Sequence, residues 1–262
     1  MTNPVRIALA NMRYPASPEE SVALAERAVA QAGAAGAAVV CFPECYVPGY
    51  RGLGKTPPPP DAAFLGSARN RVAAAAAGAR IGVVLGTERV EGTSLYATAL
   101  VIGPDGSRLG FQDKVQLDPS EDATYTPAAS RRVFTIGALT FGVVICHEGW
   151  RYPESVRFAA RHGAQIVFHP HLEIGGDGYA PTTFADPANS FHEKALLCRA
   201  AENTVWIASV NYAAAGSATT SAFVRPDGTL LAYQPYGEED LLVAELDLSL
   251  ATGLLAKRYR PV

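Results

Sequence analysis

The chain has 262 residues, of which 48% are hydrophobic and 18% are charged, and its formal net charge is −3 at pH 7. This is the composition of an ordinary globular protein, and the small negative charge gives no reason to expect nucleic acid or an acidic membrane surface as a partner. No apolar run reaches the roughly 18 residues that a membrane span needs, and the first residues lack the layout of a signal peptide. We expect a cytoplasmic protein in which residues 1–262 form a single domain.

Segments of strand and helix character alternate along the chain. Residues 5–10 form the first predicted strand, and Ser17-Pro-Glu-Glu20 is a capping box with proline at the first helical position, so a helix is expected from there to about residue 33. Further strands are predicted at 37–42, 81–86, 95–102, 139–146, 204–209, 219–225 and 229–234, and another ends near Lys114. Further helices are predicted at 68–79, 153–162 and 186–201.

Two pieces of the sequence recur at nearly equal separations. The first pair is Gly36-Ala-Ala-Val-Val-Cys-Phe-Pro43 and Gly163-Ala-Gln-Ile-Val-Phe-His-Pro170. The second pair is Ala99-Leu-Val-Ile-Gly-Pro-Asp-Gly106 and Ser221-Ala-Phe-Val-Arg-Pro-Asp-Gly228. The recurrence predicts an α/β fold made of two related halves, with two sheets packed face to face and helices outside. This arrangement is a four-layer α-β-β-α sandwich.

The four cysteines are too few and too scattered for a disulfide framework, so a reducing compartment would keep them as thiols. Cys41 and Cys45 suggest a metal-binding pair, but no second pair follows at ligand spacing. Cys41 also lies in an apolar run, where packing is the better explanation.

Three residues with chemically useful side chains each lie at the end of a predicted strand. Cys146 closes the run from Leu139, Glu44 follows the strand that starts at Ala37, and Lys114 ends its own strand. α/β proteins place chemistry at the carboxyl ends of strands. There a desolvated carboxylate can act as a base and a lysine can offer a positive charge to an oxyanion. Taken singly, a buried cysteine, a loop carboxylate and a solvated lysine are plainer explanations.

The segments around these residues resemble the motifs of the nitrilase, or carbon–nitrogen hydrolase, superfamily, which is marked by a Glu-Lys-Cys triad. The three matching segments are, in chain order, Val40-Cys-Phe-Pro-Glu44, Gly106-Ser-Arg-Leu-Gly-Phe-Gln-Asp-Lys-Val-Gln-Leu117 and Val144-Ile-Cys-His-Glu-Gly-Trp-Arg-Tyr-Pro-Glu154. Two accessory segments are also similar to the family: Cys198-Arg-Ala-Ala-Glu-Asn203 and Arg225-Pro-Asp-Gly228. The resemblance covers nearly the entire chain and implies an α-β-β-α sandwich.

The resemblance implies a cysteine-dependent amidohydrolase that needs no cofactor. Glu44 would take the thiol proton, and Cys146 would attack the carbonyl carbon of a small amide or carbamoyl compound. Lys114 and the backbone N–H of His147 would stabilise the tetrahedral oxyanion, and a thioester would then be hydrolysed. Because relatives commonly pair through helix faces, a homodimer or higher homo-oligomer is also implied.

Many members of this superfamily have a second glutamate between the lysine and the cysteine. Glu121 is the best match and would orient Lys114 or the attacking water, while Asp118 and Asp122 are its nearest competitors.

The third motif departs from the usual pattern. The turn from Cys146 to Glu154 is one residue longer, and it reads Cys-His-Glu where the nitrile-cleaving branch typically has Cys-Trp-Glu, which favours an amide over a nitrile. Arg151 would suit a substrate carboxylate, although an ion pair with Glu154 is equally consistent with the sequence. The side chains expected to reach the substrate are Tyr50, Trp150, Arg151 and His171.

Other interpretations remain beside this one. The segment His169-Pro-His171, together with His147 and Glu173, suggests a metal site, but the histidines lack a metal-binding helix pattern and the resemblance implies no metal. A Cys-His-Glu glutaminase would place its cysteine in a Gly-x-Cys-x-Gly elbow, which this chain lacks. A nitrilase, an acyl transferase and a catalytically idle binding or scaffold protein are the remaining alternatives.

Overall fold

Two six-stranded sheets form the centre of the computed structural model, which describes residues 4–174, 181–189 and 191–260. The first sheet has the order β12 (Asp240–Asp247), β1 (Pro4–Asn11), β2 (Val39–Cys41), β3 (Gly82–Glu91), β4 (Ser94–Ile102) and β5 (Arg108–Asp113). The second has the order β11 (Leu230–Tyr233), β10 (Ala222–Val224), β9 (Trp206–Val210), β8 (Ile166–Pro170), β7 (Leu139–Val143) and β6 (Val133–Ile136).

The α-helices of the described residues are α1 (Pro18–Ala34), α2 (Ala62–Ala79), α3 (His147–Arg151), α4 (Pro153–Arg161), α5 (His192–Ala201) and α6 (Leu254–Arg258). The Ser17 hydroxyl accepts a hydrogen bond from the Glu20 N–H at 3.1 Å, and so caps α1 where the sequence predicts its start. None of these helices is long and apolar enough to cross a membrane.

The two sheets repeat one pattern of strand directions. In the first, β1, β2 and β3 are parallel neighbours, and β3, β4 and β5 then pair antiparallel. In the second, β7, β8 and β9 are parallel, and β9, β10 and β11 pair antiparallel. The strands that contain the recurring sequences occupy equivalent places, since β2 matches β8 and β4 matches β10. The two related halves predicted from the recurrence are therefore confirmed.

Alternation along β1 shows how the layers are arranged. Ile7 and Leu9 are buried in an apolar cluster that includes the second sheet, whereas Ala8 and Ala10 are buried in a cluster with α1 and α2. Successive side chains of a strand point to opposite faces of the sheet, so β1 has the other sheet on one side and helices on the other. Helices α4 and α5 pack on the second sheet. The predicted α-β-β-α sandwich is confirmed.

The predicted helix over 186–201 is too long at its start, because α5 begins at His192. The Asp186 carboxylate accepts from the Ala188 N–H at 2.9 Å, and its carbonyl accepts from the Asn189 N–H at 3.0 Å, which closes a local turn. Asp186-Pro187 is therefore the start of a turn. Conversely, α2 begins at Ala62, earlier than predicted, because the Asp61 side chain caps it.

Candidate active site

Glu44 lies in the turn that follows β2, and a glycine in the neighbouring strand leaves room for that turn. A Cβ atom at Gly86 of β3 would lie 1.7 Å from the Pro43 carbonyl oxygen, so a larger residue cannot occupy this position. The Tyr212 hydroxyl donates to the Glu44 carbonyl at 2.7 Å, and the Glu44 side chain is 1% exposed. The local fold thus holds a carboxylate inside the protein.

Lys114 follows β5 immediately and is turned inward, with 1% of its side chain exposed. Its Nζ atom lies 2.7 Å from Glu44 Oε1 and 2.7 Å from Glu121 Oε2. Burial lowers the pKa of the Lys114 ammonium, but the charges of Glu44, Cys146 and Glu121 outweigh burial and raise that pKa well above its ordinary value. Lys114 is therefore a fixed cation, and it is not the solvated lysine of the plainer interpretation.

Glu121 is the acidic residue of its segment that reaches Lys114. It ends a short 3-10 turn, and its Oε1 atom accepts hydrogen bonds from Lys114 Nζ at 2.8 Å and from the Tyr50 hydroxyl at 2.9 Å. Asp118 instead caps this turn, and Asp122 is exposed. The structure brings Glu44, Lys114, Glu121 and Tyr50 together and leaves the two competing aspartates outside this cluster.

Cys146 adopts a backbone conformation that side-chain-bearing residues rarely adopt, with φ 52° and ψ −114°. It lies between the end of β7 and the start of α3. The Cys146 N–H donates to the Pro170 carbonyl at 2.9 Å, and the thiol donates to the Leu172 carbonyl at 3.8 Å. Contacts on both its backbone and its side chain thus hold the residue in this strained turn.

Burial controls the protonation of the carboxylate and the thiol. Burial, opposed by the Lys114 ammonium and assisted by Glu121, raises the pKa of Glu44 to about 7. Burial, together with the negative charge of Glu44, raises the pKa of the Cys146 thiol well above its ordinary value. At neutral pH the thiol therefore holds its proton, and Glu44 can both accept and return one.

Glu148 is a buried residue of this region that the sequence analysis missed. Its Oε2 atom accepts from the Ile145 N–H at 2.8 Å, while its Oε1 atom accepts from the N–H groups of Val115 and Gln116 at 2.8 and 3.0 Å. Glu148 therefore joins the segment after Lys114 to the segment before Cys146. Its position two residues after the cysteine was visible in the sequence, but its burial was not.

The longer turn after Cys146 forms helix α3, which packs tightly against β8 and α5. A Cβ atom at Gly149 would lie 2.5 Å from the His169 ring, so this glycine permits the close approach. The Arg199 guanidinium of α5 donates to the carbonyls of Gly149 and Trp150 at 3.1 and 2.8 Å. These bonds fix the backbone of α3, and the Trp150 indole packs against the rings of His169, His171 and His192.

The other expected substrate contacts differ in how exposed their side chains are. His147 Nδ1 lies 3.1 Å from Asp118 Oδ2, and burial lowers the pKa of His147. Arg151 is exposed, and its guanidinium lies 4.0 Å from the centre of the Phe191 ring. No ion pair between Arg151 and Glu154 occurs among the residues that the structure describes. His171, by contrast, is fully buried.

The described ranges contain no group of three or more His, Cys, Asp or Glu side chains placed to hold a metal ion. Cys41 and Cys45 are free thiols that are fully buried in the apolar core, which agrees with the packing interpretation. The rings of His169 and His171 stack at 4.9 Å between their centroids.

Comparison with known proteins agrees with this geometry. The family model of carbon–nitrogen hydrolases matches residues 6–254. The chain belongs to the carbon–nitrogen hydrolase family. This carbon–nitrogen hydrolase is 28% identical to a nitrilase of Pyrococcus abyssi over 247 residues, which cover 89% of the chain and 86% of that relative.

Solved structures of amidases are similar to this carbon–nitrogen hydrolase over almost its whole length. The crystal structure of an amidase from Nesterenkonia sp. has a TM-score of 0.79 and 27% identity, covering 98% of the chain and 93% of that amidase. A double mutant of the amidase from Nesterenkonia sp. AN1 in complex with acrylamide has a TM-score of 0.79 and 25% identity, covering 98% of the chain and 94% of that amidase. The family and the fold implied by the motifs are confirmed.

Proposed function

We propose that this protein hydrolyses the C–N bond of a small amide or carbamoyl compound through a thioester on Cys146. In the first half-reaction, the Glu44 carboxylate takes the thiol proton, and the sulfur attacks the carbonyl carbon. The Lys114 ammonium and the His147 N–H stabilise the oxyanion of the tetrahedral intermediate. Glu44 then gives its proton to the leaving nitrogen, the C–N bond breaks, and ammonia or an amine departs.

The second half-reaction uses the same groups with water. Glu44 takes one proton from a water molecule, whose oxygen attacks the thioester carbonyl carbon. The C–S bond breaks, the acid product leaves, and Glu44 returns the proton to the thiolate. Glu121 holds the Lys114 ammonium throughout, and the Tyr50 hydroxyl in turn holds Glu121.

The observation that carries this proposal is the buried contact of Lys114 Nζ with two carboxylates, each at 2.7 Å. A buried cation costs free energy unless it is paired. The Lys114 charge also acts on Cys146, whose attack on a carbonyl carbon would create an oxyanion on the substrate. The complex of the Nesterenkonia amidase with acrylamide favours an amide substrate. The Pyrococcus relative named as a nitrilase keeps a small nitrile as the second candidate.

The test is ammonia release from a panel of small amides, carbamoyl amino acids and nitriles. Cys146→Ala is expected to abolish release, and Glu44→Gln is expected to reduce it by about 10²–10⁴-fold, because both half-reactions need the base. Cys198→Ala is the matched control, since Cys198 is an exposed free thiol on α5, and it should leave release unchanged.

Added hydroxylamine tests the thioester itself. Because hydroxylamine competes with water for an acyl-enzyme, a hydroxamate should form from each good amide substrate at the expense of the acid. Ammonia release that persists in Cys146→Ala would refute the thiol mechanism. No release from any compound, with no iodoacetamide labelling of Cys146 in the Cys198→Ala background, would favour the idle binding or scaffold protein.

We also propose that the protein forms a homodimer or a higher homo-oligomer in a reducing compartment such as the cytoplasm. At the C-terminal end of the described chain, Leu250, Leu254, Leu255 and Tyr259 are between 44% and 55% exposed, which is unusual for a cluster of large apolar side chains. The described cysteines are all free thiols. Light scattering should give a mass above that of one chain, and Leu254→Glu with Leu255→Glu should lower it; a single-chain mass for the unaltered protein contradicts the proposal.

A further inference from the structure

Trp150 is surrounded by three imidazole rings on the side of the fold that holds Cys146. The centre of its indole ring lies 5.1 Å from the ring centre of His169, 4.9 Å from that of His171 and 4.3 Å from that of His192. His169 lies near the end of β8, His171 is the first residue after β8, and His192 is the first residue of α5. This chain therefore has a group of nitrogen-bearing rings beside its nucleophile.

The role of His169 is explained by the fold. Its Nε2 atom lies 2.8 Å from the Cys146 carbonyl oxygen, and a carbonyl can only accept, so Nε2 carries the proton and donates. Its Nδ1 atom then accepts from the Ser209 hydroxyl at 2.9 Å. Both ring nitrogens of His169 are satisfied, and the residue supports the strained backbone of the nucleophile.

His171 and Trp150 are different because the polar atoms of their side chains have no hydrogen-bond partner among the described residues. His171 is 0% exposed and Trp150 is 5% exposed. Neither Nδ1 nor Nε2 of His171 has a hydrogen-bond partner within the described ranges, and the same holds for Trp150 Nε1. Buried polar groups are rarely left unpaired in folded proteins. Packing alone therefore does not explain why these three nitrogen atoms are buried without a hydrogen-bond partner.

Burial also determines the charge of these groups. It lowers the pKa of His171 well below its ordinary value and lowers the pKa of His192 to about 4. At neutral pH both rings are uncharged. His171 therefore offers one N–H donor and one acceptor nitrogen, and Trp150 offers one N–H donor.

The backbone places His171 next to the position where an acyl group would be bonded. The carbonyl of Pro170 accepts from the Cys146 N–H, and the carbonyl of Leu172 lies 3.8 Å from the Cys146 sulfur. His171 is the residue between them, and consecutive Cα atoms are only about 3.8 Å apart. The acyl part of a thioester on Cys146 would therefore begin beside the backbone of this residue, whose ring lies against Trp150.

We propose that His171 and Trp150 form a neutral polar subsite that binds a hydroxyl or carbonyl group on the acyl part of the substrate. The inference rests on the proposed function and names its substrate class: small amides with an uncharged hydrogen-bonding group close to the amide, such as 2-hydroxy and 2-oxo amides. A hydroxyl can accept from the indole N–H and exchange a hydrogen bond with the imidazole. A purely apolar acyl group would leave all three nitrogen atoms unpaired.

The test compares lactamide with propionamide, which have the same carbon skeleton and differ by one hydroxyl group. The unaltered protein should show a kcat/KM for lactamide about tenfold above that for propionamide, as one or two neutral hydrogen bonds allow. Trp150→Phe, which keeps an aromatic ring and removes the N–H, should lower this ratio towards one, and so should His171→Phe. His171→Asn or His171→Gln should restore part of the ratio, because each returns a donor and an acceptor.

His162→Phe is the matched control, since His162 is an exposed histidine on the surface of the second half, and it should keep the ratio unchanged. An equal loss of kcat/KM for both amides in the Trp150 and His171 variants would show a structural role or a bound water only, and would overturn the subsite. A ratio that survives in folded Trp150→Phe and His171→Phe would also overturn it. Ammonia release that is absent, or independent of Cys146, would instead overturn the proposed function.

Discussion

Glu148→Ala would remove one side chain from four contacts that join separate parts of the site. The Glu148 carboxylate accepts from the N–H groups of Ile145, Val115 and Gln116, and the Arg131 guanidinium lies 2.7 Å from its Oε1 atom. Alanine supplies no acceptor, so the three N–H groups lose the carboxylate that pairs them. The variant should therefore be less stable and should hold its reactive groups less accurately.

The magnitude follows from the burial of each donor. The Ile145 N–H is buried, so leaving it unpaired costs about 1–3 kcal/mol. The N–H groups of Val115 and Gln116 are partly buried, so water replaces part of each bond and the loss is about 1 kcal/mol each. The free energy of unfolding should fall by about 3–5 kcal/mol, a large part of the 5–15 kcal/mol that is typical of folded proteins.

Urea denaturation measures this change as a shift of the midpoint urea concentration, while the slope of the unfolding free energy against urea concentration stays unchanged. Glu148→Gln keeps the size and one acceptor oxygen, so it should lose about half as much as Glu148→Ala. Glu245→Ala is the control, because the Glu245 side chain forms an exposed ion pair with Arg6 at 3.6 Å and its loss should cost less than about 1 kcal/mol. A Glu148→Ala protein within about 1 kcal/mol of the unaltered chain would refute the reasoning.

Three further predictions concern the protonation of the base and the packing of the turn. Because burial raises the pKa of Glu44 to about 7, ammonia release should rise with pH through that value; a rate that stays flat across neutral pH contradicts this. Because of the same raised pKa, the folded chain binds this proton more tightly than the unfolded chain does. The contribution of Glu44 to the free energy of unfolding should therefore decline from pH 4.5 to about 7. The free energy of unfolding of Glu44→Gln, measured by denaturation, should not show this decline. Gly149→Ala should lower the melting temperature, because the added methyl group displaces the His169 ring from the Cys146 carbonyl. Gly78 lies in α2 with open space around it, so Gly78→Ala should raise the melting temperature slightly. Equal shifts of the two variants in scanning calorimetry would contradict this.

Much of the fold could be predicted because its signals are local. Ser17 followed by proline and two glutamates predicts the start of α1, and Pro153 predicts the start of α4. Apolar runs bounded by turn residues predict the strands, and their recurrence predicts two halves. The start of α5 could not be predicted in this way, because Asp186-Pro187 is equally compatible with a turn and a helix start.

The sequence by itself determined which reactive residues the chain contains, their order and their place at strand ends, and hence the family. Tertiary structure alone decided which of these groups meet. Glu44 and Lys114 are 70 residues apart, yet their side chains form a hydrogen bond of 2.7 Å. Only the packing of two sheets could turn Lys114 inward and bury Glu148. Contacts and desolvation depend on atoms distant along the chain, whereas caps and strand patterns depend on near neighbours.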